Sequence, residues 1–221
     1  MYLSRIKLNT AQHETMTALV NPQRFHGAIE SMYDENESAR PRNLWRIDTL
    51  NGEMYLLVLT HELPRLANAA QQFGYKNELI ETKIYDPLLE RITTGSRWQF
   101  RLTANPTKSV SQEKDEQKNK PRGKVTALIS AKQQEEWLAE RAEEYGFKLN
   151  RDEFRVTYSH RYSFKKNGKN QVTLLCVSFE GILTVTDAAR FKQTMTEGIG
   201  RAKAYGNGLL TVVSPQNVSH G

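Results

Sequence analysis

The stretch Leu44-Trp45-Arg46-Ile47-Asp48-Thr49-Leu50-Asn51-Gly52-Glu53-Met54-Tyr55-Leu56-Leu57-Val58-Leu59-Thr60-His61 decides the fold. Two runs with the composition of strands, 44–50 and 54–61, flank Asn51-Gly52. Both residues of that dipeptide tolerate positive φ, so a tight hairpin is predicted here. Upstream, residues 2–9 alternate with the period of a half-buried strand, and Asn21-Pro22 reads as a helix start with Asn at the cap. Phe25, Ala28, Ile29 and Met32 then fall at helical spacing and define an apolar stripe. Downstream, residues 63–73 form a second amphipathic helix ended by Gly74, and 79–92 contains a last strand. The order is β-α-β-β-α-β, the ferredoxin-like pattern.

Residues 95–221 repeat that order. Trp98 to Leu102 alternates as a strand, Ser130 caps a helix expected over 131–145, and Gly146 stops it. Two β-rich runs, 154–164 and 172–185, flank the turn Lys165-Lys166-Asn167-Gly168-Lys169-Asn170. A helix over 188–196, a glycine-rich segment and a strand over 209–213 complete the unit. The chain of 221 residues is therefore expected to be an α+β protein with two tandem ferredoxin-like domains, 1–94 and 95–221. The second carries a long insertion after its first strand.

Composition narrows the function. The longest apolar run, Met54 to Leu59, is about a third of the ~20 residues a membrane helix needs. No secretory signal pattern opens the chain, and Cys176 is a lone cysteine without a disulfide partner. A soluble, cytoplasmic protein with no membrane partner is expected. The net charge of +6 is unevenly spread: residues 1–96 sum to −2 and 97–221 to +8. A basic half suggests a polyanionic partner or, more plainly, a solubilising surface.

Four segments can carry chemistry. The insertion contributes Arg101, Lys108, Lys114, Lys118, Lys120, Arg122 and Lys124 against three acids, with almost nothing apolar between Val110 and Lys124. Such an arm suits a nucleic-acid groove, and equally a polar loop. The hairpin from Arg155 to Lys169 sets Arg155, Arg161, Lys165, Lys166 and Lys169 among Tyr158, Tyr162 and Phe164 without an acid. Bases can stack on such aromatics, which also serve as ordinary strand residues. Gly198, Gly200, Gly206 and Gly208 surround Arg201 and Lys203, a composition that allows close backbone approach to phosphate. It lacks the Gly-Lys-Ser/Thr ending of a nucleotide P-loop. Finally, Gln23, His26, Glu30 and Tyr33 share one helix face, and His26 is the side chain best suited to trade a proton near neutral pH. A lone helical histidine is also common polar surface. No metal-binding motif is present, and no metal or cofactor is expected.

The order of these motifs resembles the CasE family of type I-E CRISPR precursor-RNA endoribonucleases. The resemblance runs through Met1-Tyr2-Leu3-Ser4, Asn21-Pro22 with His26, Leu44-Trp45-Arg46 and Phe100-Arg101-Leu102-Thr103-Ala104-Asn105-Pro106-Thr107-Lys108. It continues through Glu136-Trp137-Leu138, Phe179-Glu180-Gly181 with Leu183 and Asp187, and the glycine-rich segment to Leu210. It implies two ferredoxin-like domains and metal-independent cleavage of precursor CRISPR RNA at the 3′ base of the repeat hairpin. It further implies retention of the mature RNA as a Cascade subunit, with the other Cascade subunits as partners. His26 takes the position of the family's catalytic histidine, and the basic insertion, the Arg155–Lys169 hairpin and the glycine-rich loop match segments placed on RNA. Two positions depart from the pattern. Gln23 stands where relatives often carry an assisting tyrosine, and its amide can orient RNA but cannot act as acid or base. Thr103 stands where an arginine is frequent. A non-catalytic RNA-binding subunit is the alternative of a different class, and a basic DNA-binding protein is a weaker one.

Overall fold

The computed structural model describes residues 1–33, 41–76, 80–110, 124–166 and 170–215. The first unit is built from β1 (Tyr2–Lys7), α1 (His13–Val20), α2 (Gln23–Glu30), β2 (Leu44–Leu50), β3 (Glu53–Thr60), α3 (Ala67–Phe73), β4 (Glu81–Ile84) and α4 (Asp86–Glu90). Its sheet is antiparallel with strand order β2-β3-β1-β4. Asn51 and Gly52 close the β2–β3 hairpin at φ 52° and 80°, the paired positive values the dipeptide predicts. At α2 the helix begins at Gln23, so Pro22 and not Asn21 takes the cap position, while Asn21 Oδ1 still accepts the Gln23 N–H at 3.3 Å.

Helix α1 was not expected. Its buried residues are the small Thr15 and Ala18, whereas Met16 and Val20 face solvent, so no apolar stripe marks it in the sequence.

The second unit comprises β5 (Arg97–Ala104), β6 (Thr107–Val110), β7 (Lys124–Ala127), α5 (Ala131–Ala139), β8 (Phe147–Lys166), β9 (Asn170–Val185), α6 (Ala188–Glu197) and β10 (Leu210–Val213). Its sheet runs β10-β5-β9-β8, the same order as the first, with β6 and β7 pairing as a separate two-stranded ribbon at the root of the insertion. The two four-stranded sheets with this connectivity form two ferredoxin-like domains. Helix α5 is shorter than expected. It ends at Ala139, and a 3₁₀ turn, Glu143–Tyr145, carries the chain to Gly146, whose φ of 81° reverses it into β8. Among the described residues no helix is long and apolar enough to cross a membrane.

Burial on both faces explains the continuous apolar run of β3. Leu56 and Val58 pack with Phe25, Ile29 and Phe73 beneath the helices. Leu57 and Leu59 join the other core, which also contains Phe100, Leu102, Phe179 and Leu210 of the second unit. A strand covered on both sides loses polar–apolar alternation. Arg46 crosses the same seam, only 2% exposed. Its Nε and Nη2 donate to the two Asp48 carboxylate oxygens at 2.7 Å each, and Nη1 donates to the carbonyls of Arg101 at 2.9 Å and Leu209 at 2.8 Å. The second sheet lays Val177 and Phe179 with Trp137 and Phe191 on its helix side. Its opposite face carries Arg101 across from Glu180 and Thr103 across from Ser178, and turns toward β2.

Candidate nucleic-acid interface

His26 sits on α2, on the face that flanks the stripe burying Phe25 and Ile29, with its side chain 30% exposed. From its own helix it meets Glu30, whose carboxylate lies 3.9 Å from Nδ1. The rest of its surroundings come from elsewhere in the chain. Tyr205, in the 3₁₀ turn Lys203–Tyr205, presents its ring edge-on with centroids 6.4 Å apart, and the turn packs on both α2 and β2. Burial holds the imidazole pKa below its ordinary value, Glu30 works against that, and the positive charges of Lys166 and Arg42 add to the lowering. Lys203 is likewise held below the usual lysine range by burial and then by Arg42, with Glu197 opposing. Its Nζ donates to the Glu197 carbonyl at 2.7 Å. Arg42 and Lys166 thus act on His26 and Arg42 acts also on Lys203, so cations from three separate segments gather near one histidine. A cluster of like charges around a perturbed histidine is a candidate anion site.

The glycine-rich segment follows from close packing. A Cβ on Gly206 would stand 2.8 Å from the Trp45 ring, and one on Gly198 would stand 2.8 Å from Leu44. One on Gly208 would meet the Ile199 carbonyl oxygen at 2.9 Å. Gly200 is less constrained, 3.4 Å from the edge of Trp137. Gly198 and Gly206 let the loop lie flat against the first unit, which brings Tyr205 beside His26. Gly206→Ala is expected to destabilise the fold by about 2–4 kcal/mol, from the left-handed backbone and the clash together. Gly52→Ala has a similar φ, +80° against +78°, and nothing within 4 Å, so it isolates the backbone cost of about 1–2 kcal/mol. Equal denaturation midpoints for the two variants would mean that Trp45 imposes no constraint.

Of the other candidates, Lys166 faces the His26 side and Arg161 and Lys165 do not. The β8–β9 register is unbroken from Tyr158 to Lys166, so His160, Tyr162, Phe164 and Lys166 share one face and Arg161 and Lys165 the other. Phe164 packs on Tyr205 at 5.2 Å, whereas Ser159 on the opposite face meets Gln134 of α5. Arg155 is exposed across from Glu180. Arg101 is committed to Glu180 at 2.9 Å and stands 3.7 Å from Asp48, and Arg201 is exposed. Lys108 is exposed on β6 and Lys124 opens β7. Lys114, Lys118, Lys120, Arg122 and Lys169 lie outside the described residues. Gln23 is half-buried one turn before His26, with its Oε1 closed off from solvent and unpartnered. Tyr33 lies beyond the end of α2 and donates its hydroxyl to Asn43 at 3.0 Å.

Sequence reasoning missed Arg42 and Tyr205. Arg42, in Arg40-Pro41-Arg42, follows an acidic stretch that contains Asp34, Glu35 and Glu37, and Tyr205 lies among glycines without a strand or helix pattern, so neither was singled out. Beside them a cavity of about 410 Å³ opens between the units, walled by Phe25, Trp45, Tyr158, Tyr162 and Tyr205. Cys176 also lines it, a buried thiol pushed up to about 12 by burial and therefore neutral.

Comparison with known proteins agrees with this geometry. Residues 1–214 match the family model described as CRISPR associated protein. The chain is 31% identical to the CRISPR-associated endoribonuclease Cse3 of Thermus thermophilus, over 96% of this chain and 99% of that one. It is 29% identical to the CRISPR system Cascade subunit CasE of Escherichia coli, over 96% and 98%. The solved structure of Thermus thermophilus Cse3 bound to an RNA representing a pre-cleavage complex superposes with a TM-score of 0.79 at 27% identity, covering 96% of this chain and 98% of that one. With two ferredoxin-like domains and a match along nearly its whole length, the chain belongs to the CRISPR-associated Cse3/CasE endoribonuclease family.

Proposed function

We propose that the chain is a cytoplasmic, metal-independent endoribonuclease that binds the stem–loop of a CRISPR repeat and cuts precursor RNA at the 3′ base of the hairpin. The observation that carries this reading is the approach of Arg42 and Lys166 to His26, with Lys203 next to Arg42 and Tyr205 against the imidazole, at the seam between the domains. Relatives support it by their names, an endoribonuclease in Thermus thermophilus and a Cascade subunit in Escherichia coli. After cleavage the mature RNA stays bound and the chain serves as a Cascade subunit.

The chemistry uses the ribose of the substrate. The 2′-oxygen upstream of the cut attacks phosphorus as the bond to the 5′-oxygen breaks, leaving a 2′,3′-cyclic phosphate and a 5′-hydroxyl. One proton leaves the 2′-hydroxyl and one joins the 5′-oxygen, and His26 moves one of the two. Because the nucleophile is already in the RNA, what the protein supplies is alignment, proton transfer and cationic stabilisation of the phosphorane. The cations play two parts in sequence. In the free protein they add to burial in holding the imidazole pKa down; once phosphate binds, its negative charge offsets them and the imidazole protonates more readily.

A 2′-deoxy substitution at the cut nucleotide is expected to abolish cleavage while the hairpin still binds, and added chelator to change nothing. Continued cutting of the deoxy substrate would remove the proposed nucleophile. A non-catalytic RNA-binding subunit is the second reading, favoured by Gln23 at a position where relatives often carry a tyrosine. It predicts retention of the all-ribose hairpin on a gel with no fragments at any pH.

A further inference from the structure

Tyr205 is held more firmly than a loop aromatic needs to be. Its ring lies between His26, at 6.4 Å and 71°, and Phe164, at 5.2 Å and 69°, so it bridges α2 of the first domain and β8 of the second. The turn that carries it is bracketed by two left-handed residues, Ala202 at φ 63° and Gly206 at φ 78°. The only other non-glycine residue with positive φ among those described is Asn51 in the hairpin turn, where that conformation is ordinary. Alanine has no such licence, and a strained residue persists only where its surroundings over-determine it.

Those surroundings are explicit. The Tyr205 N–H donates to the Ala202 carbonyl at 2.9 Å. Asn207, fully buried, donates from Nδ2 toward the Ala202 carbonyl at 3.4 Å, the Tyr205 carbonyl at 3.3 Å and Cys176 Sγ at 3.2 Å. On the other side Gly206 lies against Trp45. The turn is locked to both sheets, and what it displays at the end of that scaffold is the ring.

We propose that Tyr205 is the positioning residue for His26: the second domain fixes the orientation of the first domain's imidazole by laying an aromatic ring against it. The fixation is the counterpart of Glu30, which meets the same imidazole 3.9 Å away from within α2. An imidazole held between a carboxylate and a ring edge has one preferred rotamer toward the phosphate. Without the ring it turns and takes on water. The catalytic arm of this inference rests on the proposed function, but the contact itself does not.

The test separates the two. The charged groups facing His26 are Glu30 from α2, Lys166 from β8 and Arg42 from the segment leading into β2, and none is altered by changing Tyr205. In the free full-length chain, followed by NMR titration of the His26 imidazole, Tyr205→Ala should move the pKa up toward the ordinary 6.5 as burial is relieved. Tyr205→Phe should leave it in place. With a repeat hairpin, Tyr205→Ala should lose about 10²-fold in cleavage rate with affinity retained, and Tyr205→Phe should cleave as wild type. Tyr205→Leu, which still fills the space over Phe164, should fall between them and guards against loss of fold in the Ala variant. Wild-type titration and cleavage in both Ala and Leu variants would overturn the proposal. So would a Tyr205→Phe variant as slow as Tyr205→Ala, since the phenol oxygen and not the ring would then be the acting group. A His26 titration that shifts as expected in a chain that cleaves no RNA would uphold the positioning role and overturn the enzymatic reading instead.

Discussion

His26→Ala should lose cleavage of the repeat hairpin by about 10²–10⁴-fold, the range a single positioned acid or base supplies, while hairpin affinity stays close to wild type. The asymmetry follows from the site. His26 is partly buried and held below its ordinary pKa, so in the free protein at neutral pH it is uncharged and contributes little to phosphate attraction. On the proposed reading that attraction comes from Arg42, Lys166 and Lys203, which the substitution leaves in place. The pH profile gives a second readout. For kcat/KM, which reports the free enzyme, the limb belonging to His26 should lie below 6.5 and vanish in His26→Ala. A rate that falls as pH rises through that limb marks His26 as the acid on the 5′-oxygen; a rate that rises marks it as the base on the 2′-hydroxyl. In the RNA complex the limb should move up, because bound phosphate favours the imidazolium. Equal losses of affinity and rate, or a limb that survives the substitution, would assign His26 to binding and leave the chemistry elsewhere.

The two sheets were legible because their signals are local. Asn51-Gly52 sets its own turn, the cap of α6 is the Asp187 carboxylate accepting the Arg190 N–H, and Ser130 caps α5 by accepting from Gln133 N–H. Helix α1 was hidden because its contacts are made by Thr15 and Ala18, and the β6–β7 ribbon because its strands are short and have little apolar content. The site divides along the same line. His26 was found as a residue type on a helix face, and Lys166 and Lys203 as members of basic segments. Their meeting was not readable, since residues near 26, 42, 166 and 203 approach only after both domains have folded and docked. Several motif residues also proved to be structural. Trp137 and Leu138 are buried core, and a Cβ at Gly198, Gly206 or Gly208 would run into protein atoms. Motif order identified the family correctly; it did not separate residues that touch the substrate from residues that hold the domains at the required angle.

Arg46 is the clearest of the second kind, and Arg46→Ala should destabilise the protein by about 3–5 kcal/mol, read from the urea midpoint. The loss has two parts. Asp48, buried beside it, would lose both of its 2.7 Å hydrogen bonds and retain only the more distant Arg101, 3.7 Å away. The carbonyls of Arg101 and Leu209 would lose the donor they share, and Thr211 Oγ1 its donor at 2.8 Å. Arg46→Lys should be nearly as damaging, because one ammonium cannot reach a carboxylate on β2, a carbonyl on β5 and another next to β10 with fixed geometry. Replacing the pair together, Arg46→Met with Asp48→Leu, should cost much less than Arg46→Ala, since no charge is then left buried without a partner. Catalysis should follow the docking of the domains and not the charge. Leu209 directly follows the glycine-rich loop, so releasing it frees the turn that presses Tyr205 against His26. A folded Arg46 variant at low temperature should therefore bind hairpin yet cut slowly, and an Arg46→Ala midpoint within about 1 kcal/mol of wild type would show that the seam is held by its apolar contacts alone.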